Sequence, residues 1–277
     1  MKPATGPSAG GTGARLRAAL RRASRLAGRI VIGLAIAGAL AAIYAFEIEP
    51  RWIAVRHIRL SASPTLRVIH ITDLHHKGDQ AFLDRVVDIL NRTPADFVCI
   101  TGDMVEEAAY LDDVLNALRR VNKPVYGVPG NHDYWSLISF DAVREALRAT
   151  GGDWLCDSTV FLPEKSVEIV GATGTTDHLP VSARHPEARH RILLVHYPNF
   201  VLRRLAGEHF DLMLVGHLHG GQVRIPLLDR PALSYLGPCS RGLCRTPAGP
   251  MYVNPGLGTY ILHVRFACRP EVAVIEL

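Results

Sequence analysis

The stretch Val68-Ile69-His70-Ile71-Thr72-Asp73-Leu74-His75 joins a short apolar run to an acid and an imidazole that stand two residues apart. The run has the length and the boundaries of a strand that is buried on both faces of a parallel sheet. Four further apolar runs end in the same way, at residues 97–100, 125–128, 192–195 and 212–215. The repeated pattern predicts an α/β fold.

Polar blocks follow all five predicted strands, namely Asp73-Leu74-His75, Gly102-Asp103, Gly130-Asn131-His132-Asp133, His196 and Gly216-His217-Leu218-His219. In an open α/β sheet, ligands bind beyond the carboxyl ends of the strands. Asp, Asn and His supply the oxygen and imidazole nitrogen ligands that divalent metals accept. We therefore expect the blocks to converge on one two-metal site. No Cys takes part, which argues against a closed structural zinc site.

Each block alone has a simpler interpretation. Gly102-Asp103 and Gly130-Asn131 are common turn material, and a pair such as His217 and His219 is more often structural than metal-binding. These interpretations do not explain why every such turn carries a side chain suited to a metal. Five blocks in order, each after a predicted strand, favour the metal site.

The order of the blocks resembles the pattern of the calcineurin-like metallophosphoesterase superfamily, which reads D-x-H, G-D, G-N-H-D, H and G-H-x-H. Residues 216–226 and 265–271 are also similar in detail to one branch, the membrane-associated bacterial phosphodiesterases. The resemblance extends from Leu66 to the C-terminus. It implies a four-layered αββα sandwich with the metals at one edge.

The resemblance also implies roles for individual residues. It assigns Asp103 to both metals, Asp73, His75 and His219 to the first metal, and Asn131, His196 and His217 to the second. His132 would stabilise or protonate the leaving oxygen, and Asp133 would fix the orientation of the His132 imidazole. The metals would be two divalent ions, and the ligand set is compatible with Mn²⁺, Fe²⁺ or Zn²⁺.

The implied reaction is attack of a metal-bridging hydroxide on a phosphodiester or pyrophosphate bond, in a lipid-linked or cell-envelope substrate. Two alternatives remain open. One is a UDP-2,3-diacylglucosamine-type pyrophosphohydrolase, whose substrate is built in the cytosol. The other is a catalytically silent metal-dependent scaffold, although the chain retains every expected ligand and His132.

The N-terminal region predicts a membrane anchor. Residues 30–46 form an uncharged apolar run, near the lower length limit for spanning a bilayer. Six arginines precede this run between residues 15 and 29, and no acid occurs before Glu47. The positive-inside tendency places the arginines in the cytosol and the larger domain outside it, at the inner membrane of the cell. Arg21-Arg22 loosely resembles a twin-arginine export signal, but the following Ala23-Ser24-Arg25 favours a retained anchor.

These features divide the chain into a disordered basic cytoplasmic tail (1–29), a transmembrane anchor (30–46), a connector (47–65) and a metallophosphoesterase domain (66–277). Seven of the 31 basic residues precede Glu47, so the remainder has 24 basic and 26 acidic residues, a net charge of −2. The basic excess belongs to the segment beside the membrane and gives little support to nucleic-acid binding. The expected partners are the phosphoester substrate and the membrane, and the oligomeric state is left open.

The other predicted elements are helices at 81–91, 106–120 and 140–149, with Ser139 as the N-cap of the last, and strands at 55–60, 167–170, 251–253 and 272–276. His76 has no place in the family pattern and is expected to be a solvated loop residue. Asp177 and His178 lie in a Gly/Thr-rich loop that either contacts substrate or is an ordinary loop.

Five cysteines do not define a disulfide framework. Cys99 lies in a predicted core strand and is expected to be buried and free. Cys239 and Cys244 flank a short loop and would pair if the domain is exported, which the sequence leaves open. The surrounding segment, residues 227–250, is either a surface loop or a segment that rests on the membrane or accepts an acyl chain.

Overall fold

The computed structural model describes residues 10–175, 184–205, 207–232 and 239–277, so Asp177 and His178 lie outside the described residues. The chain divides into two compact units, Met1–Ala45 and Phe46–Leu277. The first unit contains helix α1, Gly10–Ile43. The basic segment that was predicted to be disordered is therefore helical from Gly10 onward. One helical segment in the described residues, Arg17–Arg51, is long and apolar enough to cross a membrane.

The second unit alternates strands and helices. In chain order its strands are β1 (Ala54–Arg59), β2 (Arg67–Ile71), β3 (Phe97–Ile100), β4 (Val125–Gly127), β5 (Asp153–Trp154), β6 (Ser158–Leu162), β7 (Val167–Ala172), β8 (His190–Val195), β9 (Leu212–Val215), β10 (Arg224–Ile225), β11 (Arg230–Pro231), β12 (Gly242–Thr246), β13 (Gly249–Val253) and β14 (Glu271–Glu276). Its helices are α2 (Gln80–Arg92), α3 (Leu111–Leu118), α4 (Asn131–Trp135), α5 (Phe140–Ala149) and α6 (Pro198–Arg204).

The strands form two six-stranded sheets, which we call the first and the second sheet. The first has the order β1-β14-β2-β3-β4-β5, and the second has the order β12-β13-β9-β8-β7-β6. Strands β2 to β5 run parallel to one another, as do β7, β8, β9 and β13. The five strands that carry the polar blocks are therefore in two different sheets, with three strands in the first and two in the second.

Three apolar cores separate four layers. Ile69 on β2 packs with residues of α2, α3 and α5 on the outer face of the first sheet. Its neighbour Val68 points the other way and packs with Ile192 and Leu212 of the second sheet. Phe200 and Val201 of α6 cover the outer face of the second sheet. Burial on both faces explains the continuous apolar runs in the sequence, and the predicted αββα sandwich is confirmed.

Helix boundaries follow local capping and backbone pairing. Helix α5 begins where it was predicted, and the Ser139 hydroxyl accepts a hydrogen bond from Ala142 N at 3.2 Å. The helix predicted at 106–120 was too long, because α3 begins only at Leu111. Glu106, the first residue of the predicted helix, pairs instead with the loop after β2: His76 N donates to Met104 O at 3.0 Å, and Glu106 N donates to His76 O at 3.3 Å.

The structure also gives clear outcomes for the expectations on His76 and on three of the cysteines. His76 is buried, with its Nε2 3.3 Å from the Asp113 carboxylate, so the prediction of a solvated side chain was wrong. Sequence reasoning overlooked that the loop after β2 pairs along its length with the loop after β3. Cys239 and Cys244 form a disulfide, with Cα atoms 6.2 Å apart, and Cys99 is buried and free as expected.

Candidate metal and active site

All eight residues that sequence analysis placed at the metals or the leaving group lie at the carboxyl ends of the five strands. The first sheet contributes Asp73, His75, Asp103, Asn131 and His132, and the second contributes His196, His217 and His219. Asp73, Asp103 and His217 have positive φ angles of 49°, 54° and 71°. Non-glycine residues rarely adopt this conformation, and it is concentrated at functional sites. The strained turns direct these side chains away from the strand ends and toward one another.

The side chains form two clusters, each drawn from both sheets. Asp73 and His75 of the first sheet meet His219 of the second, and Asp103 of the first sheet meets His196 and His217 of the second. Within each cluster the three ligand atoms lie within 4.8 Å of one another. Neither sheet alone therefore completes either of these two clusters, whereas a third close group, His75, Glu106 and His132, comes from the first sheet only.

The Asp103 carboxylate lies between the two clusters. Its Oδ2 is 3.4 Å from His75 Nε2 and 3.3 Å from His196 Nε2. Other ligand atoms face each other at similar spacing, with His75 Nε2 3.2 Å from His219 Nε2 and His196 Nε2 3.1 Å from His217 Nδ1. Ligands that hold one metal at about 2.0–2.2 Å lie about 3 Å apart when they are adjacent in the coordination sphere. The spacing fits a shared cation in each cluster.

In two of the imidazoles, the nitrogen that does not face the other ligand atoms already has a hydrogen-bond partner. His196 Nδ1 lies 2.6 Å from the Thr101 carbonyl oxygen, and His75 Nδ1 lies 2.8 Å from a Glu106 carboxylate oxygen. A proton on each Nδ1 would be donated to these acceptors, which leaves Nε2 as a lone-pair donor. This is the arrangement that metal-binding histidines use to fix their tautomer.

Asn131 provides an independent test of whether the residues of the site fit bound divalent ions. Its side chain is buried, and among the described residues its Oδ1 has no hydrogen-bond partner. An acceptor buried without a partner costs about 1–3 kcal/mol, so such an atom normally serves a ligand. An amide oxygen is a suitable ligand for a divalent ion, and the ligand set as a whole fits two such ions.

The electrostatics of the clusters also favour added positive charge. Burial opposes ionisation of Asp103, but the charges and hydrogen bonds of His196 and His75 together outweigh burial and hold the pKa of Asp103 well below its usual range. Burial lowers the pKa values of His75 and His196, but their interactions with the surrounding acceptors, Asp103 foremost, together outweigh it and raise both to about 9. Burial and repulsion from His196 lower the pKa of His217 to about 4, so its imidazole stays in the neutral, metal-binding form.

Two glycines of the polar blocks allow the loops to approach closely. A Cβ atom on Gly130 would lie 2.2 Å from Asp103 Oδ1, and one on Gly216 would lie 2.4 Å from Asp73 Oδ2. Both distances are far below van der Waals contact. The glycines in these blocks are needed so that neighbouring loops can place their carboxylates at the centre of the site.

Asp133 has contacts that differ from the expected ones. Its carboxylate accepts hydrogen bonds from the backbone amides of Asp103, Met104 and Gly130 at 2.8, 2.9 and 2.8 Å. It therefore joins the loop after β3 to the loop after β4. The expectation that Asp133 would orient the His132 imidazole does not match these contacts, because the carboxylate beside His132 Nδ1 belongs to Glu106, at 3.5 Å.

Glu106 is the site residue that sequence reasoning missed. Its Oε2 lies between His75 Nδ1 and His132 Nδ1, and the hydrogen bond from His75 lowers the pKa of the Glu106 carboxyl. The residue was assigned to a predicted helix. Its position three residues after Asp103, in Gly102-Asp103-Met104-Val105-Glu106, was the available signal.

The ligands open onto a cavity of about 770 Å³. Asp103, Asn131, His132, His217 and His219 line one side. Trp135, Tyr260, Ile261 and Leu262 line another, and the Tyr260 ring lies edge-on to His132 with 5.3 Å between centroids. Residues 260–262 were not predicted to belong to the site, because they carry no metal-binding side chain.

A sequence model of the calcineurin-like phosphoesterase family matches residues 66–221, which is more than half of the chain. The chain belongs to this family. The family predicted from the five polar blocks is confirmed, and a calcineurin-like phosphoesterase is a metal-dependent hydrolase of phosphoric esters.

Relatives are similar to this chain in sequence over most of their length. The uncharacterized metallophosphoesterase YkoQ of Bacillus subtilis is 28% identical over 234 residues, which cover 79% of this chain and 86% of that protein. The phosphodiesterase YaeI of Escherichia coli is 28% identical over 260 residues, which cover 84% of this chain and 92% of that protein. Among solved structures, a dimetal phosphatase from Danio rerio has a TM-score of 0.45 at 13% identity, covering 69% of this chain and 88% of that one.

Proposed function

We propose that this calcineurin-like phosphoesterase hydrolyses a phosphodiester or pyrophosphate bond in a lipid-linked or cell-envelope substrate. The single observation that carries the proposal is the position of Asp103, between two clusters of metal-binding side chains and next to His132. The Asp103 Oδ1 atom accepts a hydrogen bond from His132 N at 2.8 Å, so the shared carboxylate and the proposed acid occupy fixed places relative to each other.

Asp73, His75 and His219 would hold one ion, His196, His217 and Asn131 would hold the other, and Asp103 would contact both. When bound, two divalent ions supply positive charge to the phosphate and lower the pKa of a water nucleophile. The protein contributes by fixing the ligands: Glu106 and the Thr101 carbonyl orient two imidazoles, and Asp133 secures the turn that carries Asp103.

His132 is the residue that we assign to the leaving group. Its Nδ1 faces Glu106, which leaves Nε2 directed to the substrate. As the bond from phosphorus to the ester oxygen breaks, His132 donates a proton to that oxygen, and Glu106 stabilises the positive imidazolium that donates it. Burial and the charges on His75 and His196 lower the pKa of His132, while the Asp103 and Glu106 carboxylates oppose that shift. An approaching phosphate anion would oppose it further, because it stabilises the positive imidazolium.

The shape of the cavity supports a diester rather than a small monoester. A diester carries organic groups on both sides of the phosphate, and the cavity of about 770 Å³ is large enough for a drug-sized ligand. Part of its lining, next to His132, is apolar and aromatic, which suits an acyl or isoprenoid group. The name of the relative YaeI, a phosphodiesterase, points to the same bond type.

We also propose that the helical segment Arg17–Arg51 anchors the enzyme in the inner membrane, with residues 1–29 cytoplasmic and residues 66–277 outside the cytosol. The arginine-rich start of the segment and its long apolar stretch support this topology. A C-terminal reporter that is active only outside the cytosol should give a signal. A reporter that is active only in the cytosol would overturn the topology, though not the chemistry.

The test of the activity is hydrolysis of a soluble chromogenic phosphodiester by the full chain in detergent. We expect chelation to abolish hydrolysis and Mn²⁺, Fe²⁺ or Zn²⁺ to restore it, and we expect His132→Ala to reduce it strongly. His57→Ala is the matched control, because His57 is exposed on the edge strand β1 and should leave the rate unchanged. Equal rates in both variants would contradict the role of His132, and the absence of metal-dependent hydrolysis would favour a silent scaffold.

A further inference from the structure

The most exposed large apolar side chains of the second unit are concentrated in three loops. Among the described residues of this unit, the six with the highest exposure are Trp135, Leu137, Leu227, Leu228, Ile261 and Leu262. The first pair lies at the end of α4, the second in the turn between β10 and β11, and the third in the loop that precedes β14. Contiguous exposed apolar side chains commonly mark an interaction surface.

The three loops surround the same cavity. Trp135, Ile261 and Leu262 line it directly, and the β10–β11 hairpin reaches it through Val223 and Ala232. The hairpin and the third loop are also bonded to each other: Gln222 Nε2 donates to Tyr260 O at 3.2 Å, and Arg224 N donates to Phe266 O at 2.8 Å. We call the six exposed side chains the apolar rim, because three of them line the cavity that holds the proposed metal ligands and the other three lie in loops that also contribute to it.

The backbone of the apolar rim is unusual. Leu137, Leu227 and Ile261 have φ angles of 52°, 71° and 59°, and they are 86%, 104% and 73% exposed. A turn with positive φ favours glycine or asparagine, and a bulky or β-branched residue is rare there. Turn geometry and core packing therefore give no reason for large apolar side chains at these three positions, whereas a contact outside the unit does.

The hairpin that carries Leu227 and Leu228 is held firmly. The buried Arg224 guanidinium donates to Gly220 O and to Ser240 Oγ, at 2.6 and 3.0 Å. It also pairs with Asp229, which is bonded to Arg241 as well. The acid beside the two leucines is thus neutralised, while the neighbouring Arg230 is exposed. Apolar side chains flanked by an exposed cation suit an interface with anionic lipid headgroups.

The beginning of the second unit is attached to the same loop. The buried Glu49 carboxylate accepts hydrogen bonds from the backbone amides of Ala267 and Cys268, and the Arg269 guanidinium lies 4.0 Å from the centroid of the Trp52 ring. Glu49 is four residues from Ala45, where the unit with the apolar helix ends. If that helix crosses a bilayer, the loop with Ile261 and Leu262 is linked through a few residues to a chain segment that leaves the membrane.

We propose that the apolar rim is a docking surface for the lipid bilayer, so that a membrane-resident phosphoester reaches the metal ligands from the headgroup region. This inference rests on the proposed function of a membrane-anchored phosphoesterase. The rim extends the apolar wall of the cavity onto the surface, and its leucines and tryptophan would lie at the depth of interfacial side chains, about 5–10 Å into the headgroup and acyl boundary.

The test places a tryptophan probe in the rim of the full chain, reconstituted in vesicles of phosphatidylethanolamine and phosphatidylglycerol with brominated acyl chains. In a Trp52→Phe, Trp135→Phe background, Leu227→Trp and Leu137→Trp report on two of the three loops. Glu164→Trp is the matched control, because it lies in the exposed turn before β7, at the sheet edge opposite the metal ligands. Trp154 is buried and contributes a constant signal.

We expect brominated lipid to quench the fluorescence of the probes at 227 and 137, with no loss at 164 relative to vesicles without bromine. Equal quenching at all three positions, or none at 227 and 137, would overturn the proposal. If the chain is a dimer in detergent and the probe at 227 is not quenched, the rim would instead be assigned to contact with a second copy of the chain.

Hydrolysis of the soluble chromogenic diester by the same vesicles separates this inference from the proposed function. Metal-dependent hydrolysis without quenching leaves the activity intact and refutes the docking surface. Quenching without hydrolysis in the unmodified chain supports the surface and refutes the activity. Because Trp135 lines the cavity, the reference is the Trp52→Phe, Trp135→Phe parent. Leu227 and Leu137 are not among the lining residues, so their variants should retain the soluble activity of that parent, which also reports that they are folded.

Discussion

The two sheets of the catalytic unit supply different chemistry to the same edge. The first sheet contributes both aspartates and Asn131 in addition to the imidazoles of His75 and His132, whereas the second contributes only imidazoles, those of His196, His217 and His219. Each cluster of ligands combines side chains from the two sheets. The site therefore depends on how the sheets pack, through the apolar core between them, in addition to the local structure of each loop.

Because of this difference, we expect substitutions in the two sheets to have unequal effects on activity and metal content. A carboxylate of the first sheet, Asp103, contacts imidazoles from both clusters, so its loss should affect both ions. An imidazole of the second sheet, such as His217, belongs to one cluster only.

Asp103→Asn should have the largest effect. The substitution keeps the size of the side chain but removes the charge that both clusters share, so we expect diester hydrolysis to fall by about 10⁴-fold, the equivalent of several kcal/mol of lost electrostatic stabilisation. Elemental analysis should find less than one ion per chain. The control is Asp141→Asn, because the Asp141 side chain is 94% exposed. Full metal content in Asp103→Asn would show that the carboxylate is not shared.

His132→Gln should have the next largest effect and leave the metals in place. His132 is assigned to the leaving group and not to an ion, so we expect kcat to fall by about 10²–10³-fold, the usual contribution of a general acid. The loss should be smaller for a diester with a good leaving group than for one with an alkyl leaving group. A drop in metal content to the level of Asp103→Asn would move His132 into the ligand set.

His217→Ala should remove a side chain from one cluster and leave the other cluster intact. We expect the metal content to fall toward one ion per chain, with a loss of activity of about 10²-fold, since one of the two ions is weakened. His219→Ala should give a similar loss by affecting the other cluster. If either variant loses both ions, the clusters are coupled more tightly than the contrast between the sheets predicts.

Glu106→Gln should have the smallest effect of the four. The amide keeps the contact with His75 but removes the charge that supports two imidazoles, and loss of such a supporting group costs about 10–100-fold. We expect a loss of activity near the lower end of this range, with both ions retained. The limb of the pH–rate profile that reports the ionisation of His132 should also change. The matched control is Glu107→Gln. Equal rates in these two variants would remove Glu106 from the site.

Local patterns predicted much of this molecule. Apolar runs of strand length gave the positions of β2, β3, β8 and β9, because residues buried on both faces of a sheet must all be apolar. The candidate ligands were predicted for a similar reason: metal-binding side chains are chemically restricted, and these side chains stand at the strand ends in the order of the family pattern. The cap of α5 was predicted because Ser139 acts on an amide only three residues away.

Other features depended on contacts that sequence spacing does not show. Glu106 was assigned to a helix because its neighbours have helical periodicity, but its backbone pairs with His76 across the fold. His76 itself was expected in solvent and is buried by that pairing. The residues of the apolar rim come from three loops that carry no motif, and Leu137, Leu227 and Ile261 in these loops are between 34 and 124 residues apart along the chain.

The sequence by itself determined the family, the strands and the set of candidate metal-binding side chains, since these follow from local hydrophobicity and from the few residue types that bind divalent ions. Only the tertiary structure decided which sheet supplies each side chain, that Asp103 lies between the clusters, that Glu106 rather than Asp133 faces His132, and that Trp135, Ile261 and Leu262 line the same cavity. These relations depend on the packing of one sheet against the other, and packing of that kind joins residues whose separation along the chain carries no periodic signal.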